Sequence, residues 1–192
     1  MTKKYELVLD DTISFWGWKL FRIRALISFG SVEVGDLGGY IEKEENLSHD
    51  GDAWVYGNAK VWGNAEVSGD AKVWGNAEVW GNAKVWGNAK VWGNAKVWGN
   101  AKVWGNAKVW GDAKVWGDAE VWELGGIIVF KNHWSSGRHF TYTKSNKMWK
   151  VGCFYGTGQE LIKKAYRDSE KSGNYYKAYV DFVETLERLS EE

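Results

Sequence analysis

The chain contains no proline and a single cysteine, Cys153, among its 192 residues. Without proline, every residue keeps a backbone N–H, so nothing interrupts a long hydrogen-bonded ladder. One thiol excludes an internal disulfide framework and fits a reducing compartment. Neither sign of charge is in excess, since 25 basic residues balance 25 acidic ones. That balance argues against a nucleic-acid binder held by bulk electrostatics and against an acidic nucleic-acid mimic. Long apolar runs are missing too. None approaches the roughly 18 residues of a membrane span, and MTKKYELVLDD lacks an apolar core of signal-peptide length. The expectation is a soluble cytoplasmic protein with neither a nucleic-acid nor a membrane partner.

What the chain has instead is repetition, with 24 Gly and 15 Trp. Gly recurs at every sixth position from Gly51 to Gly117, giving twelve hexads of the form G-N-A-K-V-W that end at Trp122. Period six leaves no apolar stripe on a 3.6-residue helix. A Gly in every unit would also cost a helix about 1 kcal/mol relative to Ala. In an extended chain, alternation puts Ala and Val on one side and Lys and Trp on the other. The Gly-Asn pair then turns a corner, because both residues tolerate left-handed geometry. Three short sides close a triangular coil of 18 residues. Counting back by sixes from Val55 places Leu37, Ile41, Leu47 and Ala53 inward. The solenoid therefore spans 37–122, with no inserted residue from His49 onward.

Residues 18 apart stack in this scheme. The aromatic position gives the rows Tyr56/Trp74/Trp92/Trp110, Trp62/Trp80/Trp98/Trp116 and Ser68/Trp86/Trp104/Trp122. Such rows stabilise adjacent strands by about 0.2–1 kcal/mol per pair, and the corner Asn residues can form a hydrogen-bonded ladder. Two outer columns mix Lys with Glu. The third, Trp54/Lys72/Lys90/Lys108, carries like charge only. Exposed Trp rows also suggest stacking on a sugar or small molecule, or self-association as a dimer or trimer. All three faces bear the same row, however, which favours a structural role.

A solenoid needs caps at its open edges. Residues 1–36 read as a β cap built from YELVLDD and KLFRIRAL, with FWGW at the turn. Residues 123–192 read as a small α+β module that closes the solenoid or joins subunits in self-association. Its strands are IIVFKN, HFTYTK and MWKVGCFYG, the last carrying Cys153 as a buried structural thiol. Thr157 and Glu160 form a T-x-x-E capping box for a helix ending near Gly173. A second helix follows, with Tyr176, Tyr179, Val180, Val183, Leu186 and Leu189 on its apolar side.

The hexads resemble those of left-handed parallel β-helices, with Val91 and Val97 at the aliphatic position and Ala95 and Ala101 at the small one. Trp, where that family usually has a small residue, is a departure. The segments LFRIRALISFGSVEVGDLGGYIEKEENLS and WKVGCFYGTGQELIKKA, flanking the hexads, resemble uncharacterised YdcK-like hexapeptide-repeat proteins of bacteria and their phages. The resemblance implies a mainly β fold: a left-handed parallel β-helix with an N-terminal β cap and a C-terminal α+β module. Members of that group often carry an acyltransferase label drawn from fold analogy alone. The resemblance also implies trimers, and acetyl-CoA as co-substrate if the label holds.

Acyltransferases of this fold use a His base, and the candidates here are His49, His133 and His139. His49 neighbours Asp50, but adjacent strand residues point opposite ways. His133 and His139 flank the WSSGR turn without the spacing of a closed metal site. The leading expectation is a non-catalytic solenoid scaffold or interaction protein of bacterial or phage origin. It would need no metal or cofactor, and a host protein is a candidate partner. An acyltransferase-like enzyme with its site at a subunit boundary is one alternative. A carbohydrate or small-molecule binder using the Trp rows is the other.

Overall fold

The computed structural model describes residues 3–190. A long hairpin opens the chain, β1 (Tyr5–Phe15) with β2 (Trp18–Ala25), and β3 (Leu37–Ile41) pairs antiparallel to β2. Twelve two-residue strands follow, one per hexad, from β4 (Trp54–Val55) to β15 (Glu120–Val121). They stack in three parallel sheets. The hairpin face contains β5 (Lys60–Val61), β8 (Glu78–Val79), β11 (Lys96–Val97) and β14 (Lys114–Val115). It continues through β3 into the hairpin, making one seven-stranded sheet. The lysine face contains β4, β7 (Lys72–Val73), β10 (Lys90–Val91) and β13 (Lys108–Val109). The mixed-charge face contains β6 (Glu66–Val67), β9 (Lys84–Val85), β12 (Lys102–Val103) and β15. The molecule is thus a parallel β-helix of about five coils, each near 18 residues.

The local causes match the hexad chemistry. Every hexad Ala and Val is buried, forming a continuous core. Each buried Val contributes about 1.5–3 kcal/mol. The hexad glycines all take positive φ, between +59° and +72°. A Cβ on Gly75 would lie 3.1 Å from the Gly93 nitrogen one coil on, so both conformation and space demand glycine. Corner amides link the coils: Asn76 Nδ2 donates to Asn94 Oδ1 at 3.4 Å, and Asn94 Nδ2 to Asp112 Oδ1 at 3.1 Å.

The first coil departs from strict counting. Ile41 pairs with Val61 and Leu47 bridges Val67, each 20 residues on rather than 18. Leu37, expected inside, is exposed and pairs with Arg24. Ile41 and Leu47 therefore take the aliphatic position, and two surplus residues fall between Leu47 and Val55. In hexad register these are His49 and Asp50, so the coil contains one insertion that counting from Val55 missed.

Polar side chains close the N-terminal edge, one set at each corner. Inside the rod, Asn64 N–H donates to Gly81 O and Glu66 N–H to Ala83 O. At the edge the upstream chain supplies such donors only in places, from Tyr40, Glu42 and Ser48. Lys4 Nζ donates to Gly51 O at 3.1 Å and Ala53 O at 2.9 Å. Asn46 Nδ2 donates to Gly63 O at 3.1 Å and Ala65 O at 2.8 Å. Arg22 Nη1 donates to Gly57 O at 3.2 Å, while Tyr40 N–H serves Ala59 O. These side chains prevent buried carbonyls from being orphaned.

The C-terminal module is an antiparallel sheet of β16 (Ile127–Lys131), β17 (His139–Thr143), β18 (Met148–Val151) and β19 (Phe154–Thr157), packed by α1 (Gly158–Asp168) and α2 (Glu170–Leu189). Thr141 Oγ1 accepts from Lys114 N–H at 3.0 Å and Ser145 Oγ from Glu120 N–H at 2.9 Å, capping two faces of the last coil. The Thr157–Glu160 capping box is present, and its hydrogen bonds from Thr157 hold the Glu160 carboxyl below its ordinary range.

Three expectations for this module change. α1 ends at Asp168, and Gly173 lies inside α2, where a Cβ would collide with the Tyr166 ring. The glycine permits close helix approach instead of ending a helix. Leu189 is exposed at the end of α2, beyond the packed stretch around Tyr176, Val180 and Val183. Cys153 is exposed in the turn between β18 and β19, not buried in a strand.

Candidate functional site

The Trp rows are face-to-face stacks. Trp74 and Trp92 lie 4.8 Å apart at 1°, Trp92 and Trp110 5.4 Å apart at 13°. Trp62, Trp80, Trp98 and Trp116 continue likewise, as do Trp86 and Trp104, while Trp122 tilts by 34°. Stacking covers both faces of each interior indole, so a planar ligand finds open aromatic faces only at row ends.

The three faces are not equivalent, contrary to the reading of identical rows. Both end modules settle on the hairpin face. Trp16 at the hairpin tip packs edge-on against Trp62 and Trp80. From the other end, Lys150 Nζ sits 4.6 Å from the Trp116 ring centre and 5.9 Å from that of Trp98, while Tyr155 packs on Trp116. Burial lowers the Lys150 ammonium's pKa. On the lysine face the modules reach only the row ends, Ser31 at Tyr56 and Ile127, Ile128 and Val129 beside Trp110. Among the described residues, Trp74, Trp92, Trp86 and Trp104 make no aromatic or cation–π contact with either module.

His49 occupies the inserted corner. Its Nδ1 accepts from Lys4 N–H at 3.2 Å, and its ring stacks on Tyr5 at 4.4 Å. Nε2 is buried without a hydrogen bond, 3.6 Å from Glu44 Oε2. Glu44 is held below its ordinary range, chiefly by its hydrogen bond from Lys3 at 2.6 Å. The imidazole is thus a packed part of the cap, with no nitrogen open to a substrate. His133 Nδ1 lies 3.4 Å from the Tyr179 hydroxyl, in an aromatic corner with Trp134 and Tyr175. Among the described residues, no group of three or more His, Cys, Asp and Glu is placed to hold a metal.

His139 stands differently. Its Nδ1 meets Asp112 Oδ2 at 2.9 Å, while Asp112 Oδ1 accepts from Asn94. The corner ladder of Asn76, Asn94 and Asp112 therefore ends on an imidazole. Asp112 thus contacts both Asn94 and His139, and the His139–Asp112 pair is partly exposed. Beside the pair lies a cavity of about 440 Å³, walled by Trp110, Ile127, Ile128 and Val129. Trp110 stacks on Trp92 with one face and ends its row here. Lys96, Lys114 and Arg138 form a cationic rim on the other side of His139. The His139–Asp112 contact is an ion pair when the imidazole carries a proton. No Ser, Thr or Cys lines the cavity.

Sequence reading named His139 but missed Asp112. The signal was present, since Asp112 is where the near-identical Asn corners change to Asp. Nothing in the hexads showed that β17 would return across that corner. Compared with family models and with curated proteins, the chain matches none. No helix among the described residues is long and apolar enough to cross a membrane.

Proposed function

We propose that this protein is a non-catalytic scaffold of bacterial or phage origin, working in the cytoplasm, whose rigid rod holds two end modules for interaction with a protein partner. The observation that carries this reading is the convergence of both modules on one row, Trp62 to Trp116. A repeat of fixed period sets the angle between its ends, and here that angle brings them to the same face. Its interior contains only Ala, Val and a few larger apolar side chains, so chemistry is left to the outside. The test is turnover with acetyl-CoA and a panel of amine and hydroxyl acceptors, followed by thiol release. The scaffold reading expects none, and acetyl-CoA-dependent turnover removes it.

A second reading, an acyltransferase-like enzyme, is favoured by the His139–Asp112 pair beside the Trp110 cavity. There His139 would take the proton of an acceptor hydroxyl or amine. His139→Ala abolishing measured turnover, with the fold intact, would support it. Self-association through the Trp rows accords with either reading.

A further inference from the structure

The three Trp rows end differently at the C-terminal side of the rod. On the hairpin face Trp116 is covered, with Tyr155 4.5 Å away and Lys150 Nζ 4.6 Å from its ring centre. On the mixed-charge face Trp122 tilts away from its row by 34°. Trp110 ends the third row still stacked, 5.4 Å from Trp92 and 13° from parallel. Among the described residues, its other face meets no aromatic ring and no cation. In coil register the next rung, 18 residues on, is Ile128. By then the chain has left the solenoid, and β16 carries Ile128 into the C-terminal module. What stands beside Trp110 instead is the cavity of about 440 Å³, lined also by Ile127, Ile128, Val129, Asp112 and His139. Its size is that of a small-molecule site.

We infer that this cavity binds a small uncharged aromatic ring with one hydrogen-bond donor on its edge, an indole or a phenol, lying on Trp110 as the next rung of the row. The protein itself supplies a precedent. The Tyr155 phenol closes the hairpin row on Trp116, its hydroxyl donating to Trp116 O at 3.3 Å. The remaining lining selects among ligands. A sugar carries hydroxyls around its whole rim, and each one buried without a partner is costly. Asp112 and His139 are the only polar side chains lining the cavity, and they already meet each other at 2.9 Å. A flat aromatic ring has no polar group on either face, so an indole and aliphatic side chains suffice to cover it. Asp112 Oδ1 accepts from Asn94 and Oδ2 meets His139. Each carboxylate oxygen can accept a second hydrogen bond, which leaves a place for one ring N–H or O–H. Charge on the ring meets opposition in either sense. Lys96, Lys114 and Arg138 beyond His139 oppose a cation, and the Asp112 carboxylate opposes an anion.

Occupancy of this cavity requires no turnover, so its test is separate from the acetyl-CoA assay and either can fail alone. The probe is indole, titrated into the full chain with its Ile and Val methyl groups isotope-labelled and read by NMR. Methyl glucoside and cyclohexanol, the latter close to phenol in size but not planar, serve as controls. The expected result is saturable displacement of the Ile127, Ile128 and Val129 methyl signals by the ring current of bound indole. Both controls bind more weakly by about tenfold or more. Trp110→Leu keeps an apolar wall but removes the aromatic face, and weakens indole by about tenfold or more. Val129→Asp, at an exposed position of the wall, weakens it as well. Trp122→Leu, at a row end equally exposed but outside the cavity, leaves it within about twofold. Absence of saturable shifts, binding of either control as tight as that of indole, undiminished binding in Trp110→Leu or Val129→Asp, or an equal loss in Trp122→Leu each overturns the proposal. The methyl signals of the buried hexad valines in each variant separate lost binding from lost fold.

Discussion

Lys4 Nζ donates to the Ala53 carbonyl at 2.9 Å, where an upstream coil would have placed a backbone N–H. The ammonium is almost wholly buried and lies 4.8 Å from the Phe29 ring centre. Burial pushes its pKa down to about 8, against the attraction of Asp52, Asp50 and Asp70. In the unfolded chain Lys4 keeps its proton to about 10.5. Between these values the unfolded state binds more protons, so stability rises with pH from about 8 toward 10. Tyr5, raised above its ordinary range by burial and by Glu44 and Glu45, acts oppositely once unfolded tyrosine ionises. Denaturant melts across this range should show a rise followed by a fall, with the rise smaller in Lys4→Met, where only Lys150, also lowered by burial, still contributes in that sense. That variant should also lose about 1–3 kcal/mol at neutral pH through its orphaned carbonyls. An identical pH profile in both proteins would contradict the assignment.

Two corner glycines separate backbone strain from crowding. Gly57, at φ +59°, has open space around its missing Cβ. Gly93, at φ +71°, would place a Cβ 3.0 Å from the Gly111 nitrogen. Gly57→Ala should cost about 1–2 kcal/mol for the left-handed conformation alone. Gly93→Ala should cost at least about 1 kcal/mol more, because the neighbouring coil must move. Equal losses in chemical denaturation would mean that the coils yield freely.

Cys153 should react with an aromatic disulfide reagent in the native state at a rate close to that of a free thiol. It is exposed in the β18–β19 turn. A reaction that waits on unfolding would place the thiol inside.

The same thiol permits a test of phase. With a second label at Lys19→Cys, inserting a copy of residues 93–110 should lengthen the inter-label distance by about one coil rise, near 5 Å. Deleting residues 93–98 should lengthen it as well, although the rod becomes shorter. Six residues are one side of the triangle, so the C-terminal module turns by about 120° onto another face. Pulsed dipolar spectroscopy reads both changes, and a shortened distance after the deletion would refute the geometry.

Much of the fold was legible because each hexad solves its own problem. Gly turns the corner, Ala and Val go inward, and Lys and Trp go outward. Repetition leaves the chain few other ways to bury its apolar side. The first coil was less legible, because period counting assumes a constant length. His49 and Asp50 break it, and the pairings of Ile41 with Val61 and Leu47 with Val67 reveal the shift. The candidate site was legible only in part. His139 was named from its chemistry, but Asp112 becomes its partner because β17 crosses the last coil.

By itself, then, the sequence determined the coil, its period, the three stacked rows and the unbalanced lysine column. These follow from contacts at a fixed spacing of 18 residues. The tertiary structure alone decided which row is covered, where the N-terminal carbonyls find donors, and which histidine keeps a free nitrogen beside a cavity. Those outcomes depend on how two aperiodic modules fold back onto the rod, through contacts between residues whose separation no local pattern encodes.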